Sequence, residues 1–417
     1  MDDNVLKVVI WGLEAGRLYW NKERRKALFT YDMDFLHRQL DLSPLSASIY
    51  SPASQKGLSH PGNTEKLYAG LPEFIADSLP DRWGNTIFQR WAASQNIPMR
   101  KLTPVDRLAY MGKRSMGALE FQPAYDHDDL SVSIQLSSLY RFADQIFNER
   151  QELSIPIGDA IHLESLYKVG TSAGGMRPKA IIAIDEKTGD VRSGQADLPS
   201  NYTHYIIKFD EGRDFPFTKV EKAYYDMAVA SGIQMMSSKL VEIDDRFHFL
   251  TQRFDREDGR KVHTQTLAAM NSLADSYEDL FIVCRKLRLP ADEISEQYRR
   301  MVFNVLAGNV DDHTKNFSFV MREDGVWHLS PAYDMTFSVD LNAPAYVNRH
   351  SMTICGKDHD ITIKDMLDFA KINSIKNAAD IIDQVVTSVS RFSDYAVLSM
   401  IEDKWVSAIS QVITNKQ

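Results

Sequence analysis

The stretch Asn309-Val310-Asp311-Asp312-His313-Thr314-Lys315-Asn316-Phe317, with Asp334 downstream, constrains this chain more than any other. Asp311 and Asn316 stand five residues apart. In phosphoryl transfer, a carboxylate at the first of two such positions takes the proton of the attacking hydroxyl. An amide oxygen at the second holds one magnesium, and a later aspartate holds the metal that bridges the phosphates. Magnesium takes hard oxygen ligands and keeps much of its water, so one amide oxygen and one carboxylate are a reasonable protein share. The same residues suit an Asp/Asn-rich turn between two strands, where they hydrogen-bond locally. This stretch alone does not choose between them.

A chain of 417 residues exceeds one small core, so two or three domains or lobes are expected. Its hydrophobic and charged fractions, 44% and 25%, are ordinary for a globular protein. A net charge of −9 argues against binding nucleic acid through overall charge. The two cysteines, Cys284 and Cys355, form no C-x-x-C pair, so neither a disulfide framework nor a zinc site is expected. That cysteine usage suits a reducing cytoplasm. The acidic start Met1-Asp2-Asp3-Asn4 predicts no signal peptide, and no apolar run is long enough to predict a membrane span.

Residues 5–12 read as a β-branched strand, Glu14 to Arg17 as a turn, and residues 27–31 as a further strand. Apolar residues at helical spacing fill 71–95, interrupted around Leu79-Pro80-Asp81, with Pro80 placed to start a second helix. Thr103 is placed to cap another helix, and Gly117 to Phe121 return to a strand. The polar stretch 125–129 marks a boundary, followed by an amphipathic helix over 133–149.

Next comes a small-residue loop, Gly170-Thr171-Ser172-Ala173-Gly174-Gly175-Met176-Arg177-Pro178-Lys179, running into a strand. Its glycines would let backbone N–H groups approach an anion, with Arg177 and Lys179 adding charge. A plain hairpin loop is the alternative, since the loop matches neither common phosphate-binding fingerprint. The strand 204–209 carries Lys208, which needs a partner if its ammonium faces inward. Glu221, early in a helix over 218–231, is one candidate; it equally suits a helix N-terminus. A hairpin over 239–243 and 247–256 leads to a charged connector, and His263-Thr264-Gln265 reads as loop. Helical patterns dominate 276–308 and 362–412.

The serial order is therefore glycine-rich loop, strand lysine, helix glutamate, connector strand, helices, D-x-x-x-x-N and metal aspartate. It is far more specific than any one piece. It predicts a phosphotransferase in which lysine and metal hold a triphosphate while Asp311 orients a hydroxyl. Two rivals are a catalytically silent binding module and a metal-dependent phosphohydrolase. The intact Lys208, Asp311, Asn316 and Asp334 weigh against the first. A hydrolase site needs more carboxylate or His ligands than His313 adds, which weighs against the second.

At this point the chain resembles the HipA family of serine/threonine kinases, toxins of bacterial toxin–antitoxin pairs. The resemblance spans nearly the whole length and is strongest in Asp311-Asp312-His313-Thr314-Lys315-Asn316-Phe317. It also takes in Leu79-Pro80-Asp81, Ser172-Ala173-Gly174-Gly175, Arg253-Phe254-Asp255-Arg256 and Pro331-Ala332-Tyr333-Asp334. It implies an α+β, atypical protein-kinase-like fold: a β-rich N-terminal subdomain with helices (1–125), a region with the glycine-rich loop and hinge (126–255), and a mainly helical C-terminal catalytic lobe (256–417).

It further implies ATP and Mg²⁺ as cofactors and Asp311 as catalytic base, with Asn316 and Asp334 binding the metal. ATP contacts would come from Ala173, Gly174, Gly175, Met176, Arg177, Lys179, Lys208, Gln252, Phe254, His313, Asn316 and Tyr333. Thr171 or Ser172 would accept an autoinhibitory phosphate. The implied partners are a helix–turn–helix, HipB-like antitoxin and a protein substrate such as an aminoacyl-tRNA synthetase, with DNA reached only through the antitoxin. Asp334 lacks a following Phe-Gly and no His-Arg precedes Asp311, so the implied kinase is an atypical one.

Overall fold

A computed structural model describes residues 5–124, 133–148, 177–195 and 198–414. The N-terminal region forms an antiparallel sheet in the order β4-β3-β2-β1-β5. Its strands are β1 Val5–Ile10, β2 Leu13–Asn21, β3 Lys26–Tyr31, β4 His60–Pro61 and β5 Leu119–Gln122. The β1–β2 turn is Trp11-Gly12, both with positive φ (48° and 77°), as tight hairpins require. Residues 14–17, expected as a turn, therefore lie inside β2. Gly16 is there for close approach: a Cβ on it would fall 2.3 Å from the Thr30 carbonyl oxygen.

The second sheet runs β7-β6-β8-β10-β9. It is built from β6 Lys179–Asp185, β7 Val191–Ser193, β8 Tyr202–Lys208, β9 Ser238–Ile243 and β10 Arg246–Gln252. On it pack α1 Arg82–Ser94, α2 Pro104–Met111 and α3 Leu136–Asn148. Their Trp83, Phe88, Trp91, Tyr110 and Tyr140 share a core with Ile182, Ile207 and Leu250 of the sheet. The N-cap of α1 is Asp81, whose carboxylate accepts the Gly84 N–H at 2.5 Å. Pro80 thus precedes the helix rather than opening it. Thr103 and Asp106 form the reciprocal cap of α2. Helix α4, Phe217–Ala230, runs beside β9 and β10.

A short hairpin of β11 Arg256–Glu257 and β12 Arg260–Lys261, turning at Asp258-Gly259, leads into the C-terminal region. That region holds α5 Tyr277–Lys286, α6 Ala291–Ala307, α7 Ile363–Ile372, α8 Ala378–Val389, α9 Phe392–Leu398 and α10 Asp403–Thr414. It also contains a sheet of β13 His263–Thr266, β14 Ser318–Met321 and β15 Trp327–Leu329. Residues 263–265, expected as loop, are thus a strand. His263 and Gln265 both point inward, and both reach the Leu42 carbonyl, at 3.0 and 2.5 Å. Inward polar residues hide the two-residue period from a reading based on apolarity.

The cores do not follow the expected divisions at 125 and 255. One core joins the first sheet and Phe74 to Tyr277 and Phe281 of α5 and to α6–α10. The other joins α1 and α2, from the N-terminal region, to the second sheet. The stretch 125–129 that suggested the first boundary lies outside the described residues.

Candidate active site

Lys208 closes β8, with Lys179 of β6 and Phe249 of β10 as its cross-strand neighbours. Its ammonium has the partners that an inward lysine needs. Glu221 of α4 accepts at 2.5 Å, and the Asp334 carboxylate contacts the same nitrogen. Burial works against the Lys208 charge, but Asp334 and Glu221 outweigh it and raise its pKa above the usual lysine value. Burial likewise acts to raise the Asp334 carboxyl. Lys208 overrides it and holds that carboxyl below the ordinary range. Asp334 itself has φ 52°, a left-handed conformation that aspartate tolerates better than most residues.

The loop bearing Asp311 leaves α6 at Gly308, whose φ of 70° and N–H bond to the Asn304 carbonyl end that helix. Ser338 Oγ accepts the N–H groups of Val310 and Asp311, at 2.7 and 2.9 Å. Asn316 Nδ2 donates to the Asp311 carbonyl at 2.8 Å, closing the loop on itself. The Asp311 carboxylate is 68% exposed, with His313 Nε2 4.0 Å away. Partial desolvation raises the Asp311 carboxyl; His313 opposes this, while Asp334 and Asp312 add to it.

Asp312 points the other way and is fully buried. Its carboxylate accepts from the Tyr277 hydroxyl at 2.7 Å, from the Ser351 N–H at 2.8 Å, and is bound to His350 Nδ1 at 2.9 Å. Nothing in the local sequence separates this aspartate from its neighbour, because its partners lie 35 residues upstream (Tyr277) and 38 and 39 downstream (His350, Ser351).

The remaining expected residues divide. Ala173, Gly174, Gly175 and Met176, with Thr171 and Ser172, lie outside the described residues. Arg177 stacks over the Phe217 ring and is 4.0 Å from Glu211, and its charge acts on Asp311 and Asp334. Lys179 is buried, with its ammonium 2.9 Å from Asp81, and its charge acts on Asp334. The Gln252 N–H donates to the Ser237 carbonyl at 2.9 Å. Phe254 and Tyr333 stack, centroids 5.6 Å apart, and the Tyr333 hydroxyl donates to the Lys315 carbonyl at 2.8 Å. Those two rings connect the segment after β10 to the turn that carries Asp334.

The connector after β10 is fixed by a buried triad. Arg253 makes two bonds to Asp255, at 2.8 and 2.7 Å, and Arg256 adds a third at 2.9 Å. The Gly117 N–H donates to Asp255 at 2.7 Å, so the N-terminal region braces this segment directly. Burial acts to raise the Asp255 carboxyl, but the two arginines dominate and hold it far below its usual value.

Residues 6–122 match the family model described as HipA N-terminal domain, and residues 171–392 match HipA-like C-terminal domain. "Putative kinase Y4mE" of Sinorhizobium fredii is 25% identical over 184 residues, covering 40% of this chain and 42% of that protein. A "Putative kinase" of Haemophilus influenzae is 25% identical over 186 residues, covering 40% and 52%. The matches thus span about half the length of these curated relatives. The structure of the Shewanella oneidensis MR-1 toxin–antitoxin system HipA, HipB and its operator DNA contains a chain of the same fold. That chain is 17% identical with a TM-score of 0.69, over 99% of this chain and 95% of that one. With both domain models matched, the second across more than half of its residues, the chain belongs to the HipA family.

Proposed function

We propose that this chain is an ATP- and Mg²⁺-dependent protein serine/threonine kinase and the toxin of a toxin–antitoxin pair. The observation that carries the reading is Lys208 held between Glu221 and Asp334, next to the closed Asp311–Asn316 loop. The donor set suits magnesium. Asn316 spends its NH₂ on the Asp311 carbonyl, which leaves its oxygen for a cation, and Asp334 supplies a carboxylate held in its charged form.

Bound Mg²⁺·ATP supplies the phosphoryl group and neutralises charge on its oxygens. Lys208, kept charged by its two carboxylates, offers a cation to phosphate oxygens. Asp311, exposed and close to His313, receives the proton of an acceptor hydroxyl and orients it. Phe254 and Tyr333 provide an aromatic wall for the base. Catalysis on this arrangement is positioning and charge stabilisation.

The related HipA is found with HipB and operator DNA. We assign this chain a HipB-like helix–turn–helix antitoxin and contact with DNA through it, in keeping with its net charge of −9. The acceptor would be a protein, with an aminoacyl-tRNA synthetase the leading candidate, and Thr171 or Ser172 the site of self-modification. Among the described residues no helix is long and apolar enough to cross a membrane.

Intact mass after incubation with Mg²⁺ and ATP tests the reading, with wild type compared to Asp311→Gln. One added phosphate in the wild type alone, mapped to Thr171 or Ser172, is the expected result. ATP binding without transfer to the chain or to an added synthetase would overturn it in favour of a silent binding module.

A further inference from the structure

We propose that Asp312 is a positioning residue that sets the proton-accepting carboxylate of Asp311 against the metal aspartate Asp334. The proposal rests on the kinase reading above for its consequence, but its geometry stands independently. Asp311 lies between two anchored neighbours. On one side the Val310 carbonyl accepts from the Ser351 N–H at 3.1 Å. On the other, Asp312 accepts from the same N–H at 2.8 Å and binds His350 at 2.9 Å. Ser351 therefore grips the loop on both flanks of the base.

A second path returns to Asp311 itself. The Tyr277 hydroxyl donates to Asp312 and accepts from Asn304 Nδ2 at 3.0 Å. Asn309 Nδ2 donates to Asn304 Oδ1 at 2.9 Å, and Ser338 Oγ donates to Asn309 Oδ1 at 3.2 Å. Ser338 then accepts the Asp311 N–H. The circuit begins on the Asp312 carboxylate and ends on the backbone of the base.

Ser338 also belongs to the stretch that departs from Asp334. Displacing Asp312 would thus shift Asp311 and the stretch after the metal aspartate relative to each other, while Lys208, Glu221 and the aromatic wall stay in place. An apolar side chain would fill the space but could not gather partners from α5 and from residues 350–351. A carboxylate with several acceptor positions can. Proton transfer tolerates little misplacement, whereas nucleotide binding is spread over other groups.

Two conservatively shaped variants test this, Asp312→Asn and Tyr277→Phe, each made in the full chain. Hydrogen–deuterium exchange reads the loop without reference to activity. In Asp312→Asn, amide exchange across residues 310–312 and at Ser351 should rise by about tenfold or more, with α6 and the second sheet unchanged. Tyr277→Phe should show a smaller rise at the same amides. In the activity arm, phosphate incorporation from Mg²⁺·ATP should fall about 100-fold in Asp312→Asn, while affinity for Mg²⁺·ATP stays within about threefold.

Unchanged exchange at 310–312 would overturn the proposal. So would a loss of rate matched by an equal loss of nucleotide affinity or of folded fraction, which marks a purely structural aspartate. If the wild type transfers no phosphate, the kinase reading fails, and the exchange pattern still decides the positioning claim.

Discussion

Asp334 combines two demands in one residue: a carboxylate against Lys208 and a backbone in the left-handed region. Asn satisfies the backbone but removes the charge and leaves Glu221 as the remaining carboxylate on Lys208, so Asp334→Asn should lower the urea midpoint through that lost partner alone. Phosphate incorporation should fall by about two to three orders of magnitude, as when one preorganised electrostatic group is removed. Asp334→Ala loses activity as well and adds about 1–2 kcal/mol of left-handed strain, visible as a still lower urea midpoint. Both comparisons use the same transfer assay and the same denaturation curve. That Lys208, Glu221, Asp311, Asn316 and Asp334 gather in one place could be expected from their order and spacing. The engagement of Lys179 could not, because nothing in Arg177-Pro178-Lys179 discloses that its partner, Asp81, lies far upstream. Asp312 was hidden for the same reason.

Among the elements, the segment leading into α1 works as a strap across the molecule. Asp77 accepts the N–H of Thr266, at the end of β13, at 2.7 Å, and its hydroxyl at 2.9 Å. A few residues on, Asp81 caps α1 and meets Lys179 of β6, and Trp83 Nε1 donates to the Lys179 carbonyl at 2.9 Å. Asp81→Asn keeps the cap, since Asn is as good an N-cap as Asp, but takes a carboxylate from a buried ammonium. Removing one partner of such a pair costs about 3–5 kcal/mol. We expect Asp81→Asn to lower unfolding stability by that order, and the added change Lys179→Met to recover most of it. A double variant no more stable than the single one would show that cap and packing matter more than charge. Capped helices such as α2 were readable from Thr103 alone, whereas β13 was not, because its inward residues are polar and bond to a carbonyl more than 200 residues upstream, with separations of 221 and 223.

At the level of the whole molecule, stability should respond to mild acid. Burial, aided by the Arg253 charge, lowers the His204 pKa to about 4, and burial lowers that of His263 to about 4. Unfolded histidines protonate near 6.5, so between that value and about 4 the unfolded chain binds more protons. Stability therefore holds above neutral pH and declines as pH falls through this window, by on the order of 3 kcal/mol per histidine. Urea midpoints measured from pH 7.5 to 4.5 should drop steadily, and His263→Gln should flatten the slope. A flat profile in the wild type would show that both imidazoles gain a proton in the folded state. The α+β class and the order of the site were readable from sequence. The sharing of cores was not, since periodicity shows which face of a helix is apolar but not which sheet receives it. That sharing has a consequence for how the chain is made. Trp83, Phe88 and Trp91 share their core with Leu250, which a ribosome adds more than 150 residues later. At roughly 5–20 residues per second, those aromatic faces stand uncovered for on the order of ten seconds, during which chaperones have their opening on the nascent chain.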